Sequence, residues 1–107
     1  MGWTVELLNE QVARELDALP ADMRARFERI VRLVVELGLT HVREPYVKHL
    51  EGRLWEMRMI GRDGIARAID VTARGRRVVV VRAFRKKTRK TPRREIALAL
   101  RRAEEVE

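Results

Sequence analysis

The chain has 107 residues and a mass of 12.6 kDa, which predicts a single domain over 1–107, because two cores would leave each half too small for burial to offset chain entropy. An apolar content of 46% excludes a disordered chain despite 37% charge. The absence of cysteine excludes disulfides, thiolate metal sites and a thiol nucleophile, and fits a cytoplasmic protein. The net charge of +8 is unevenly placed: residues 1–50 carry 7 Lys/Arg against 8 Asp/Glu, residues 51–107 carry 17 against 8, and residues 74–94 hold 11 with no acid at all. Such a segment calls for a polyanion, and nucleic acid fits it best because phosphates reward dense Lys/Arg through counterion release. An anionic membrane fits less well, since no amphipathic helix presents a Trp/Phe/Leu-rich face. Neither a membrane span nor a signal peptide is expected.

Along the chain, residues 3–7 alternate Trp3, Val5 and Leu7 with polar neighbours, the period of a half-buried strand. Asn9 is placed to cap a helix bearing Val12, Leu16 and Leu19 at helical spacing, and Leu19-Pro20 ends it. A second helix from Ala21 carries Met23, Phe27, Ile30, Val31, Val34 and Leu37 as its apolar stripe and ends at Gly38. Its other face, Arg24, Glu28, Arg32 and Glu36, reads as a self-neutralising solvated ladder. Residues 39–49 contain Pro45 and no clear period, so a connecting loop is expected there. Strands follow at 54–60, 65–73 and 77–84, joined by turns at 61–64 and 74–76, which makes a meander. Thr91-Pro92 then reads as an N-cap with proline at the first helical position, opening a last helix with Ile96, Leu100 and Ala103 on one face.

The predicted class is therefore α+β: a strand, a helix hairpin, a three-stranded meander and a C-terminal helix, in a small, mostly antiparallel sheet with the hairpin on one face. Strand parity puts Trp55, Met57 and Met59 toward the hairpin and Glu56, Arg58 and Ile60 away from it. The face away from the hairpin, with the basic segment beside it, is left for function.

Most catalytic templates are missing: the chain has no glycine-rich phosphate loop, no metal-ligand spacing and no serine. His41 and His49 could form an acid–base pair for RNA cleavage, but two unpatterned histidines in a loop read as bystanders. The basic constellation is more informative. Arg58 and Arg67 stand on neighbouring strands, and Arg82, Arg85, Lys86, Lys87, Arg89 and Lys90 lead away from the third. RNA cleavage by its own 2′-hydroxyl needs that oxygen aligned, a proton withdrawn, a charged phosphorane stabilised and the leaving 5′-oxygen protonated. Arginine suits the stabilising task through its planar donor fork, whereas its high pKa makes it a poor base. A lysine among other cations can have its pKa lowered enough to exchange protons, which makes Lys86 or Lys87 the better acid–base candidate.

The stretch Gly52-Arg53-Leu54-Trp55-Glu56-Met57-Arg58, then Arg67, then Phe84-Arg85-Lys86-Lys87-Thr88-Arg89-Lys90-Thr91-Pro92 resembles the phage-derived, HigB-like branch of the RelE/ParE toxin superfamily. The resemblance implies a toxin of a type II toxin–antitoxin module that cleaves messenger RNA on the ribosome and thereby inhibits translation. It implies a metal-independent endoribonuclease without cofactor. Arg58, Arg67, Lys86 and Lys87 are its catalytic candidates, and Arg82, Arg85, Arg89 and Lys90 its RNA-binding ones. A helix-turn-helix antitoxin is the implied partner, and operator DNA is reached only through it. Two other classes stay open: a gyrase-inhibiting ParE-like toxin on the same fold, and a nucleic-acid-binding or autoregulatory subunit without catalysis. One position departs from the pattern, since such toxins commonly carry tyrosine where Ala66-Arg67-Ala68-Ile69-Asp70 ends in Asp70. Asp70 is expected to modulate, and to weaken, activity. Parity turns it away from Arg67.

Overall fold

A computed structural model describes residues 2–42, 46–86 and 89–107. The strands β1 (Thr4–Leu7), β2 (Val47–Glu51), β3 (Leu54–Gly61), β4 (Gly64–Ala73) and β5 (Arg77–Lys86) form one sheet in the order β1-β5-β4-β3-β2. The helices are α1 (Glu10–Asp17), α2 (Ala21–Leu37) and α3 (Arg93–Ala103). β1 runs parallel to β5, while β2 to β5 are antiparallel to their neighbours. Because β1 lies at one edge and β2 at the other, the chain must cross the whole sheet between them. The α1–α2 hairpin makes that crossing and covers one face.

Local signals explain the helix ends. The Asn9 side chain accepts from the Val12 N–H at 3.1 Å, satisfying one of the donors a helix start leaves free. Gly38 ends α2 at φ 87°, with its N–H on the Val34 carbonyl at 2.8 Å; few other residues adopt that backbone without strain. At the opposite end of α2, Asp22 accepts from the Arg62 N–H at 2.6 Å, and a Cβ on Gly61 would come within 2.7 Å of Met23. The close approach of helix and β3–β4 turn therefore needs glycine there.

Two apolar layers sandwich the sheet. On the hairpin side, Val12, Leu16, Met23, Ile30 and Val34 pack on Met57, Met59, Ala66, Ala68, Val78 and Val80. On the other, Ile96, Ala99 and Ala103 of α3 pack on Leu54, Ile69, Val71, Val79, Val81 and Phe84. The run Val78–Val81 is buried throughout, as a strand covered on both faces should be.

Four expectations are corrected. Part of the segment read as a loop is a single 3-10 turn, Leu39–His41, and the edge strand β2. A strand of five residues with only Val47 fully buried lacks the alternation that reveals strands in sequence. The face expected to be left open is half covered by α3. In α3, Ala99 rather than Leu100 joins the core, and Leu100 stays 38% exposed. Thr91 does not cap the helix: Pro92 occupies the N-cap position, and the Thr91 hydroxyl is used elsewhere.

Candidate nucleic-acid interface

Three cations meet on three adjacent strands. Arg58 of β3 lies directly opposite Arg67 of β4, Arg67 lies opposite Phe84, and Lys86, opposite Ile65, is two residue pairs further along. Like charges face to face across a sheet repel, so the pair needs an anion. Glu56, two residues before Arg58 on the same strand face, supplies it: its Oε1 accepts from Arg67 Nη1 at 2.5 Å with both side chains 2% exposed. Its Oε2 accepts from the Thr91 hydroxyl at 2.8 Å. The second Arg67 nitrogen donates to the Arg89 carbonyl at 2.5 Å. Arg67, expected to clamp phosphate, is thus buried and engaged at both terminal nitrogens.

One carboxylate does not balance three cations. Among the described residues, Arg58 Nε, Arg67 Nε and Lys86 Nζ are buried without a hydrogen-bond partner. Such groups normally find one. Burial pushes the Lys86 ammonium below its usual lysine range; the charges of Arg67 and Arg58 add to that fall and Glu56 opposes it. Arg58 also lines a small recess, about 30 Å³, with Arg26, Arg29, Ile30, Tyr46 and Ile60, so α2 brings two further arginines to this edge.

The other sequence candidates are dispersed. Arg85 is exposed and donates to the Asp63 carbonyl at 2.6 Å. Arg89 and Lys90 are exposed, and Lys87 lies outside the described residues. Arg82, expected to bind RNA, is held between carboxylates: it donates to Glu95 at 2.7 Å and pairs with Glu15 at 3.0 Å, its guanidinium 5.5 Å from the centre of the Phe84 ring. Regular alternation sets Arg82 on the same face as Phe84 and Lys86, and α3, which covers that face, brings Glu95 to it. His49 stacks edge-on against Trp55 at 4.9 Å on β2, and His41 contacts Thr40; neither lines the cationic recess.

Asp70 is opposite Trp55 and Val80, on the hairpin face, and is fully buried, and neither carboxylate oxygen has a partner among the described residues. Burial, and secondarily the charge of Glu56, holds its carboxyl well above the usual carboxylate range. It lies on the far side of the sheet from Arg67, turned away from the basic surface.

Sequence reasoning left Glu56 without a role, gave Thr91 only that of a helix cap, and missed Arg26 and Arg29. A signal for Glu56 was available: with the turn at 61–64, the register sets Arg58 opposite Arg67, and the acid on the same face two residues away is their nearest counter-charge.

Residues 14–104 match the family model described as phage-derived protein Gp49-like. The chain belongs to that family. No curated protein matches the sequence. Among solved structures, the E. coli toxin RelE, a mutant in the free state, is similar at TM-score 0.63 and 13% identity, over 95% of this chain and 98% of that one. The archaeal RelE–RelB complex from Pyrococcus horikoshii OT3 provides a second likeness at TM-score 0.58 and 22% identity, over 79% of this chain and 96% of that one. The Gp49-like chain therefore has the fold of these RelE toxins. Among its described residues, no helix is long and apolar enough to cross a membrane, and no group of three His, Asp or Glu is placed to hold a metal ion.

Proposed function

We propose that this Gp49-like protein is the toxin of a type II toxin–antitoxin module and cleaves messenger RNA on the ribosome, as a HigB-like enzyme using neither metal nor cofactor. The observation that carries the reading is the charge imbalance at the β3–β4–β5 face, where Arg58, Arg67 and Lys86 share one carboxylate and Lys86 Nζ has no partner among the described residues. A phosphodiester supplies the missing anion. In the cleavage, the 2′-oxygen attacks phosphorus in line, the bond to the 5′-oxygen breaks, and the 2′-proton and the leaving oxygen's proton must be handled in turn. Lys86, whose ammonium is destabilised by burial and by its arginine neighbours, can exchange protons closer to neutral pH than a free lysine. Lys87 is assigned the same pool of charge, while Arg58 holds a phosphate oxygen and Arg85, Arg89 and Lys90 guide the strand. Arg67 acts from beneath.

A face that binds phosphate but carries no paired acid and base should rely on the ribosome to align the 2′-oxygen, because alignment supplies a large share of the barrier reduction. The partner proposed to restrain it is a helix-turn-helix antitoxin with an acidic, apolar segment. Primer extension on a translated messenger, with and without ribosomes and with and without antitoxin, tests the reading. Cuts that need ribosomes and vanish with antitoxin are expected. Equal cutting of naked and ribosome-bound RNA, or no cutting in either, contradicts it.

A further inference from the structure

The cationic run that follows β5 is fixed at one end by the sheet, through the pairing of Ile65 with Lys86. Its other end, at Arg89 and Thr91, is tied to buried groups. Glu56 and Arg67, each 2% exposed, face one another across β3 and β4. From that pair one bond runs from the Thr91 hydroxyl to Glu56, and another from Arg67 to the Arg89 carbonyl. Thr91 is itself 8% exposed. α3 starts at Pro92 without a side-chain cap, and the Thr91 hydroxyl just before it is engaged on Glu56.

We propose that Glu56, Arg67 and Thr91 form a buried latch that ties the Arg89 and Thr91 end of the basic run to β3 and β4, beside Lys86, making the three positioning residues rather than groups that touch RNA. The inference rests on the proposed cleavage only for its consequence in the reaction; the latch itself is a property of the folded chain. The charged groups facing Lys86 are Arg67 from β4 and Glu56 and Arg58 from β3. Of these Glu56 alone favours the ammonium, so the latch carboxylate also tunes the charge of that lysine. Arg67, tied at both terminal nitrogens, acts in the opposite sense and keeps that tuning from cancelling the cost of burial.

Trypsin cuts after Arg89 and Lys90, next to the two latch bonds, so closure of the latch can be read directly at those peptide bonds. Under native conditions cleavage tracks the open population. Removing the Thr91 hydroxyl with Thr91→Val is expected to speed tryptic cutting there about fivefold, the factor that corresponds to one hydrogen bond of typical net strength, and Thr91→Ser should restore the parent's rate. In Glu56→Gln, loss of the one favourable charge should move the pH midpoint of Lys86 acetylation, read by mass spectrometry, to lower pH. Circular dichroism establishes that each variant is folded, and if Glu56→Gln is not, the Thr91 arm decides alone. Cutting of Thr91→Val at the parent's rate, or an unmoved Lys86 midpoint in folded Glu56→Gln, overturns the latch. Neither readout involves RNA, so a chain that shows both shifts and cuts no messenger refutes the proposed reaction while the latch stands.

Discussion

Two ionic clusters on the same sheet are built to opposite rules. Around the β5 bulge, Arg82 and Arg102 meet Glu15 and Glu95, with contacts of 3.0 Å for Arg82–Glu15, 2.7 Å for Arg82–Glu95 and 2.9 Å for Arg102–Glu15. Glu15 also accepts from the Ala83 N–H at 3.1 Å and Arg102 donates to the Val81 carbonyl at 2.8 Å. Those backbone groups lie just past the point where β1 ends, so the side chains from α1 and α3 satisfy a strand edge that has lost its neighbour. Charges cancel there and every group has a partner. Around Glu56, by contrast, three cations share one anion and several donors are orphaned. Buried polar groups left unmatched cost stability, and a fold that satisfies one cluster fully has no evident reason to neglect its neighbour unless a ligand completes it. The neutral cluster joins the layers of the protein, and the unbalanced one is the place to look for phosphate.

The sharpest way to break this contrast is at Glu15. Burial alone would push its carboxyl up, yet bonds from Arg102 and the Ala83 N–H and the charges of Arg82 and Arg102 outweigh it and leave the group below its usual value. Glu15→Ala removes the carboxylate shared by two partly buried guanidiniums and strands the Ala83 N–H, and a loss of about 3–5 kcal/mol is expected from breaking such an arrangement. Urea unfolding measures it. A loss close to zero would make this cluster no more structural than the other.

Asp70 offers a second, smaller test, since it is an unmatched group with no cationic surface to serve. With its folded pKa raised, the native state keeps a proton that the unfolded chain releases near pH 4. That contribution is fully present below the unfolded value and is lost as pH rises toward the folded one. Asp70→Asn should abolish the decline, and Asp70→Val should raise stability at neutral pH by about 1–3 kcal/mol, the penalty of an unsatisfied buried polar group. Unfolding curves from pH 4 to 8 on parent and variants read both effects. If the parent shows no such decline, Asp70 has a partner in solution.

The mildest change is Arg89→Ala, which removes an exposed side chain while its carbonyl can still accept from Arg67. RNA binding should weaken with its salt slope reduced by about 1, with the unfolding midpoint unchanged. An unchanged slope would take Arg89 out of the proposed phosphate path.

How far the sequence reaches follows from the same contrast. The α1–α2 hairpin, the meander and the helix ends were legible because period, Asn9 and Gly38 act within a few residues. The motif residues Arg58 and Lys86 could be named from charge density and family resemblance, and parity alone turned Asp70 away from Arg67. Strand β2 was not legible, because an edge strand that buries little has no alternation to show. Nor was the engagement of Arg67 and Arg82, whose partners Glu56, Glu15 and Glu95 lie 11, 67 and 13 residues away. A cation's role depends on whether the fold brings a carboxylate to it, and composition cannot report that.

Lys86→Met tests the central claim most directly, because it keeps the side chain's length and apolar stem and deletes only the unpartnered ammonium. Ribosome-dependent cleavage and unfolding should be measured on the same preparation. The account expects cleavage to fall by about a hundredfold or more, the range for losing a proton-transferring group, while the unfolding midpoint holds or rises. Cleavage at the parent's rate, or a drop in activity matched by a drop in stability, would contradict it.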